Sequence, residues 1–189
     1  MIGQVFLSLA TAFGLSTAAG LNAYIPLLVV ALLARLTPLI TLNEPWDALS
    51  SWWVIGTLAV LLIVEILVDK VPAVDTVNDI IQTFIRPAAG AILFASTTNT
   101  VGVHPVLAAI CGVILAGGVH AVKTGGRPVV AATTAGVGNP VVSTIEDIIS
   151  LVTSVVAIVA PYLIVALIVI AGTLITWWYV RRRQRRAQR

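Results

Sequence analysis

The sequence predicts an all-α, polytopic transmembrane helical bundle, and three observations support this fold class. Of the 189 residues, 59% are hydrophobic and only 10% are charged, whereas soluble domains are about 25% charged. The apolar residues fall in long runs that suit the thickness of a bilayer. Six arginines lie within residues 181–189, directly after two tryptophans and a tyrosine that are typical of a membrane interface. We therefore expect one transmembrane domain over residues 1–180 and a basic cytoplasmic tail over residues 181–189.

The first apolar run covers residues 5–34 and is interrupted by Gly14, Gly20 and Pro26. At about 1.5 Å per residue, a straight helix of this length would exceed the hydrocarbon core of about 30 Å. The run must therefore tilt, kink or break. The loop that follows, residues 36–50, contains no lysine or arginine.

The second span opens at Trp52 and ends near residue 68. Residues 71–85 then form an amphipathic helical pattern, because the polar side chains recur at helical spacing while valine, isoleucine and phenylalanine face away. Pro87 permits a kink before the apolar run 88–95. The polar positions are Asp75, Asp79, Gln82 and Arg86.

The second half of the chain contains a span over residues 103–122, a weakly hydrophobic segment over 128–144 and a final run over 148–180. Lysine and arginine mark the cytoplasmic side of a membrane protein. They agree with about six crossings and both termini in the cytoplasm if residues 128–144 form the fifth crossing. If that segment is re-entrant instead, the final run must cross twice and split near Pro161.

An internal repeat is a further expectation for this bundle. Shifting the chain by 82 positions pairs Gly20 with Gly102 and Glu65 with Asp147. Three spans followed by three spans would give an inverted repeat with kinked or broken helices, an arrangement typical of transporters. A rival shift aligns residues 16–20 with 132–136, and the two registers exclude each other.

An acidic run that ends at Arg86 is the best candidate for function, because charge in or beside a bilayer is costly to keep. Glu65 follows eleven apolar residues. Inside hydrocarbon it would take up a proton or pair with Lys70, Arg86 or a cation. We predict an acidic partner for Arg86, with Asp79 or Asp75 favoured and Glu65 or Asp69 as the fallback. The alternative is a solvated hairpin whose charges face water.

Two patches of small residues, 14–22 and 131–139, complete the candidates. Helices broken at such residues expose backbone groups that bind ions, although the same composition permits close packing without a ligand. His104 and His120 stand sixteen residues apart, which favours capping over metal binding. The predicted pathway or ion-binding residues are Glu65, Asp69, Asp75, Asn78, Asp79, Arg86, Asn22 and Asn139.

Residues 68–79, VDKVPAVDTVND, and 83–91, TFIRPAAGA, resemble the signature of a bacterial integral-membrane family known as domain of unknown function 4126. The segment 20–23, GLNA, and the overall length also fit that family. The resemblance implies a small helical inner-membrane protein with no assigned activity. It implies no catalytic or binding residue.

The sequence therefore favours a small transporter or channel for an ion or solute, acting as a homo-oligomer. A non-catalytic subunit or assembly factor of a larger membrane complex is the second hypothesis, and a lipid-handling enzyme that uses Asp75 and Asp79 is the third. Enzyme motifs are absent, and we expect no catalytic residue, metal or cofactor. The expected partners are the bilayer and, at the arginine tail, anionic lipid headgroups rather than nucleic acid. The expected location is the bacterial inner membrane.

Overall fold

The computed structural model describes residues 2–69, 72–134 and 138–187, and these form a helical bundle. The all-α prediction is confirmed for this part of the chain. Two short 3₁₀ turns, Trp46–Ser50 and Asn99–Val101, lie in the connections. The α-helices are α1 (Ile2–Leu21), α2 (Tyr24–Leu36), α3 (Trp52–Val68), α4 (Pro72–Thr98), α5 (Pro105–Thr134), α6 (Gly138–Val159) and α7 (Pro161–Ala187).

Successive helices run in opposite directions, so the bundle has two distinct ends. Thr11 of α1 contacts Ala157 of α6, and Asn22 at the other end of α1 contacts Asp147 near the start of α6. We call the end where α1, α3 and α5 finish the charged end. The opposite end, which holds the connection over residues 37–51, is the loop end.

The first apolar run does not form one span. It breaks after Leu21 into the hairpin of α1 and α2, where the side-chain oxygen of Asn22 accepts hydrogen bonds from the backbone N–H groups of Tyr24 and Ile25. Such capping satisfies the free N–H groups of a new helix. The expected break is confirmed, but the extra reversal puts Ile2 at the loop end while α7 runs toward the charged end. This chain course does not fit the expectation that both termini share one side.

The number of helices also differs from the expected six crossings. Five helices are long and apolar enough to span a bilayer, while α2 and α3 are shorter. α5 continues through Pro128 to Thr134, so residues 128–144 are not a separate fifth crossing. The final run splits between α6 and α7, where Ala160 interrupts the helix and Pro161 begins the next one. Proline suits this first helical position because its missing N–H would have no partner there. The alternative split near Pro161 is therefore the correct one.

The inverted repeat at a shift of 82 residues does not fit the arrangement of the helices. α3 and α6 do run in opposite directions. However, Glu65 lies in the last turn of α3 and Asp147 lies near the start of α6, so both sit at the charged end. An inverted repeat would place equivalent positions at opposite ends of the bundle.

α4 carries the predicted amphipathic pattern with its polar face turned inward. Arg86 and Gln82 are buried, whereas Phe84 on the opposite face is 77% exposed. Pro87 lies inside the helix without ending it. The interpretation of this segment as a solvated interfacial helix is wrong for Gln82 and Arg86, because their side chains point into the bundle rather than into water.

Close helix packing fixes the position of this polar face. A Cβ atom on Gly90 of α4 would lie 2.5 Å from the Cβ of Ala116 and 2.6 Å from the carbonyl oxygen of Gly112, both on α5. Only glycine permits such an approach. Arg86 lies one turn before Gly90, so the same contact brings its guanidinium against α5.

Candidate functional site

The charged end contains a buried ionic cluster built by five helices and by the turn after α3. Its members come from segments far apart in the sequence, since α1, α3, α4, α5 and α6 all meet there. Most of their polar side chains are buried inside the bundle, and the others are half-buried at its end. The members of the ionic cluster are Asn22, Glu65, Asp69, Asn78, Asp79, Gln82, Arg86, His120, Lys123, Arg127, Ser143, Glu146 and Asp147.

The most deeply buried ion pair joins Arg86 and Glu65. Nη2 of Arg86 lies 3.0 Å from Oε1 of Glu65, and the two side chains are 0% and 1% exposed. Nη1 of the same guanidinium donates to the carbonyl oxygen of Gly20 at 3.4 Å. The acidic partner predicted for Arg86 is therefore the fallback residue Glu65, and the favoured partner Asp79 is wrong. The reason is distance, since Asp79 lies two turns from Arg86 on the same helix.

Polar atoms around this pair have no hydrogen-bond partner within the described residues. They are Oε2 of Glu65, Oε1 of Gln82 and Nε of Arg86. The Tyr24 side chain is buried in the same place, within electrostatic reach of both charges of the pair. Buried polar atoms nearly always have a hydrogen-bond partner in proteins, so these exceptions indicate a candidate functional site.

His120 continues the network on the other side of Arg86. Its Nδ1 lies 3.2 Å from Nη1 of Arg86. A guanidinium nitrogen can only donate, so Nδ1 accepts and the ring carries its hydrogen on Nε2. Nε2 lies 3.0 Å from the hydroxyl of Thr83, which in turn donates to the carbonyl oxygen of Asp79. His120 of α5 thus links two residues of α4, Arg86 and Thr83, as a neutral ring. Of the capping or interfacial role expected for it, the capping part is wrong.

Arg127 of α5 gathers carboxylates from three segments. It lies 2.7 Å from Asp79, 3.5 Å from Asp69 and 3.7 Å from Glu146. Lys123, one turn earlier, pairs with Glu146 at 2.8 Å. Ion pairs therefore hold α5 against α4, α6 and the turn after α3.

Asp69 occupies the turn after α3, outside the spanning segments. Its carboxylate accepts hydrogen bonds from Asn78 at 2.7 Å and from Ser143 at 2.9 Å. Burial by itself raises the pKa of this carboxyl, but the Lys123 charge and the two hydrogen bonds outweigh burial and hold the pKa below its ordinary value. Asp69 is therefore ionised at neutral pH.

Asn22 links the break between α1 and α2 to the cluster. Its side-chain nitrogen donates to Asp147 at 2.9 Å, while its oxygen caps α2. Lys123 donates to the carbonyl oxygen of Leu21 at 3.0 Å, in the last turn of α1. The end of a broken helix and a buried cation thus meet, and the partner of the backbone carbonyl is a side chain of the protein.

Carboxylates outnumber cations in the cluster. The acidic members are Glu65, Asp69, Asp79, Glu146 and Asp147, and the basic members are Arg86, Lys123 and Arg127. The described residues contain no grouping of three or more histidine, cysteine or acidic side chains suited to a metal ion. Charge in this cluster is balanced mainly between side chains, and the excess is negative.

Six of the eight predicted site residues meet in this cluster. Asn139 lies at the start of α6, on the same end of the bundle. Asp75 lies within α4, but its side chain is outside the described residues, as is Lys70. The hypothesis of a lipid-handling enzyme that uses Asp75 and Asp79 stays a prediction.

Sequence reasoning missed the contribution of α5 and α6. His120, Lys123 and Arg127 follow one another at spacings of three and four, which places them on one face of α5. Ser143, Glu146 and Ser150 do the same on α6. A helical projection of the two apolar runs would have identified both polar faces.

The loop end holds a cavity of about 330 Å³ with no charged side chain in its lining. Thr11 donates to the carbonyl oxygen of Ala157, and Thr97 donates to that of Leu93, so their hydroxyls present lone pairs. His104 caps the start of α5 nearby by accepting from the N–H of Val106 at 3.3 Å, as predicted. The polar residues of the cavity lining are Ser8, Thr11, Thr41, Thr97 and Thr100.

These features define a polytopic helical membrane protein with an ionic cluster buried at one end of its bundle. A family model described as "Domain of unknown function (DUF4126)" matches residues 9–182. The chain belongs to this family, which confirms the resemblance. No curated protein and no solved structure shows significant similarity to the chain.

Proposed function

We propose that this protein is a transporter for a small ion or solute. The observation that carries the proposal is the buried ionic cluster at the charged end. Charged side chains inside a bilayer are costly, and those that occur there are typical of ion and proton pathways. A bundle that needed only stability would be served as well by apolar packing, since replacing a buried ion pair by apolar residues is often neutral or stabilising.

Polar groups between the two ends support a route through the bundle. Ser150 and Ser154 of α6 are fully buried, and Ser150 donates to the carbonyl oxygen of Ala18 on α1. Ser16 of α1 donates to the carbonyl oxygen of Gly90 on α4. These hydroxyls lie between the neutral cavity of the loop end and the ionic cluster. The route would begin in an uncharged cavity and end among charges.

The charged end is assigned to the cytoplasm on the positive-inside rule, and the loop end to the outside. The arginine tail, Lys123 and Arg127 then lie on one side, and the connection 37–51, which has no lysine or arginine, lies on the other. On this assignment the start of α1 would lie outside, since Ile2 is at the loop end. In cells that carry Cys111→Ser, an impermeant thiol reagent should label Gln4→Cys and Glu44→Cys before lysis, but Gln184→Cys only after lysis. Protection of Gln4→Cys in intact cells would reverse the position of the start of α1.

Flux measurements in proteoliposomes test the transporter proposal. Vesicles containing the purified protein and a trapped dye selective for protons, sodium, potassium or chloride should show flux above that of protein-free vesicles. Glu65→Gln should reduce the flux at least tenfold, because it removes the ionisable carboxyl at the centre of the cluster. Glu44→Gln, in the exposed connection of the loop end, is the matched control and should leave the flux unchanged.

Flux equal to that of empty vesicles for all four ions, and for a panel of small neutral solutes, would overturn the proposal. A loss of flux in both glutamate variants would show that the effect is not specific to the cluster. Size-exclusion chromatography of each variant in detergent would show whether the variant is folded.

A subunit of a larger membrane assembly is the second candidate, and one face of α5 favours it. A Cβ atom on Gly118, Gly125 or Gly126 would meet no atom within 4 Å, so these glycines leave this face of α5 open. Small residues on a spanning helix permit close approach of another helix. The same face would serve a homo-oligomer, and the mass of the complex isolated from native membranes would distinguish the two. A single-chain mass would contradict both.

Anionic lipid is the proposed partner of the tail. The guanidinium of Arg181 stacks 4.6 Å from the ring centre of Trp177, at the predicted interfacial position. Each basic residue near an anionic surface contributes about 1 kcal/mol to its attraction. Anchoring of the tail should therefore weaken when phosphatidylglycerol is omitted from the vesicles, as measured by the fluorescence of Trp177 and Trp178. An unchanged emission spectrum would exclude this contact.

A further inference from the structure

The second carboxylate oxygen of Glu65 is the starting point. Oε1 accepts from Arg86 at 3.0 Å, while Oε2 has no hydrogen-bond partner within the described part of the chain. The side-chain oxygen of Gln82 also lacks a partner there. Both atoms are acceptors, so neither can satisfy the other unless a hydrogen is added. The side chains themselves are almost wholly buried.

The two acceptors are both buried next to Arg86. Gln82 lies one turn before Arg86 on α4, and Arg86 binds the other oxygen of Glu65. Tyr24 from α2 is buried here too, within electrostatic reach of Glu65 and Arg86. A hydrogen on Oε2 of Glu65 would turn that oxygen into a donor, and Gln82 offers an unsatisfied acceptor on the same side of α4 as Arg86.

We propose that Glu65 is a reversible proton-binding site whose protonated carboxyl donates from Oε2 to the side-chain oxygen of Gln82. Binding forms one O–H bond between the carboxylate and a proton from the aqueous phase, and the charge of Glu65 changes from −1 to 0. Arg86 keeps its positive charge and its contact with Oε1. The role of the proton as a coupling ion rests on the proposed transporter function, but the site itself does not.

The chemistry of the site favours a proton over a metal cation. Hard metal cations take about six or more oxygen ligands, whereas the site offers one carboxylate oxygen, one amide oxygen and the Tyr24 hydroxyl. The guanidinium of Arg86 would also repel a metal ion. A proton needs only a donor and an acceptor oxygen, and the site supplies both.

Charge balance in the cluster also favours proton uptake. Carboxylates exceed cations among the cluster members of the described residues, so protonation of Glu65 reduces the excess negative charge, and most of the other carboxylates stay paired with Lys123 or Arg127. Arg86 would still interact with the carbonyl oxygen of the protonated acid. Other groups near Glu65 are Tyr24 of α2, Asp69 after α3, the carbonyl oxygen of Gly20 from α1, His120 and Lys123 of α5, and Glu146 of α6, which is paired with Lys123.

Infrared difference spectroscopy of the purified protein tests the site without any transport assay. A protonated carboxyl has a C=O stretching band above the amide band, and this band moves to lower frequency in D₂O. We expect the band in the wild type at neutral pH and its reversible loss at alkaline pH. Glu65→Gln should abolish the band. Glu146→Gln, which changes a carboxylate that is paired with Lys123, should retain it.

Gln82→Leu provides a second readout that does not depend on the folding of Glu65→Gln. Loss of the acceptor should move the band to higher frequency, because a free carboxyl C=O absorbs above a hydrogen-bonded one. A wild type without the band at neutral pH would overturn the proposal. If the frequency of the band is the same in Gln82→Leu as in the wild type, Gln82 is not the acceptor.

Flux measurements separate this inference from the proposed function. A pH-titrating band in a protein that carries no flux would leave the proton site standing and remove the transporter. Flux in a protein that lacks the band would support the transporter and overturn the proton site. Flux together with a band, but independent of pH, would overturn the coupling role of the proton.

Discussion

Charged side chains are buried and paired at the charged end of the bundle, but exposed at the loop end. At the charged end, Glu65 and Arg86 are sealed inside the protein and bind each other at 3.0 Å. At the loop end, Glu44 and Asp47 are exposed, and the cavity has hydroxyls but no charge in its lining. The arginine at this end, Arg35, stacks over the Trp52 ring at 5.6 Å rather than pairing with an acid.

The difference indicates which charged side chains contribute to the free energy of unfolding of this protein. Exposed charges are screened by water and contribute little to stability. Buried charges depend on their partners, because an isolated one would face the full cost of dehydration. We therefore expect equal chemical changes at the two ends to have unequal effects, and the following measurements test that expectation.

The largest expected effect comes from removing Arg86. At alkaline pH, where Glu65 is ionised, Arg86→Met leaves the Glu65 carboxylate buried without its cation, which should lower the free energy of unfolding by about 3–5 kcal/mol. Arg35→Met at the loop end removes only an exposed cation–π contact worth about 0.5–1 kcal/mol. Reversible unfolding of the purified protein in mixed micelles would measure both. The double variant Glu65→Gln with Arg86→Met should recover part of the loss, and equal losses for the two single variants would contradict the distinction between the ends.

An intermediate effect is expected for Asp69. Asp69→Asn weakens hydrogen bonds to a charged acceptor and should cost about 1.5–3 kcal/mol at neutral pH, whereas Asp47→Asn at the loop end should cost almost nothing. The folded-state pKa of Asp69 lies below the ordinary value of 3.8. The stabilisation is therefore complete above pH 3.8 and is lost as the pH falls through the lower, folded-state pKa. Unfolding measured at pH 7 and at pH 3 should show a difference between wild type and variant that shrinks at the lower pH; a constant difference would exclude the ionic origin.

The smallest effect is expected inside the neutral cavity. Thr11→Val removes one hydrogen bond between α1 and α6 while keeping the shape of the side chain, and such bonds average about 0.6 kcal/mol in membrane proteins. Thr57→Val is the control, because Thr57 is exposed and bonds only to Trp53 within its own helix. Unfolding in the same micelles should separate the two by less than about 1 kcal/mol. A larger loss for Thr11→Val would show that the loop end also depends on a polar network.

The acidic run shows both the reach and the limit of prediction from this sequence. The spacing of Asp79, Gln82 and Arg86 predicted one polar face on α4, and the structure has that face. Local periodicity states which residues share a face, but it does not state whether the face meets water, lipid or another helix. The partner of Arg86 was accordingly placed on the wrong element, because Glu65 reaches it only through the packing of α3 against α4.

The first apolar run gives the same lesson for chain direction. Its length required a tilt, a kink or a break, and the structure has a break at residues 22–23. Whether the chain then bends or reverses depends on Asn22, whose amide caps α2 and bonds to Asp147, 125 residues away. That single reversal changes the end at which the N-terminal residues lie.

The sequence by itself determined the solvent of this protein, the helical class and the segregation of its few charges, because these follow from composition and local spacing. Only the tertiary structure decided which carboxylate meets which cation and which end of the bundle holds them. The physical reason is that ion pairs act over a few ångströms between side chains of different helices. Their positions are set by helix direction and by close contacts such as that between Gly90 and Gly112, and no local pattern encodes these.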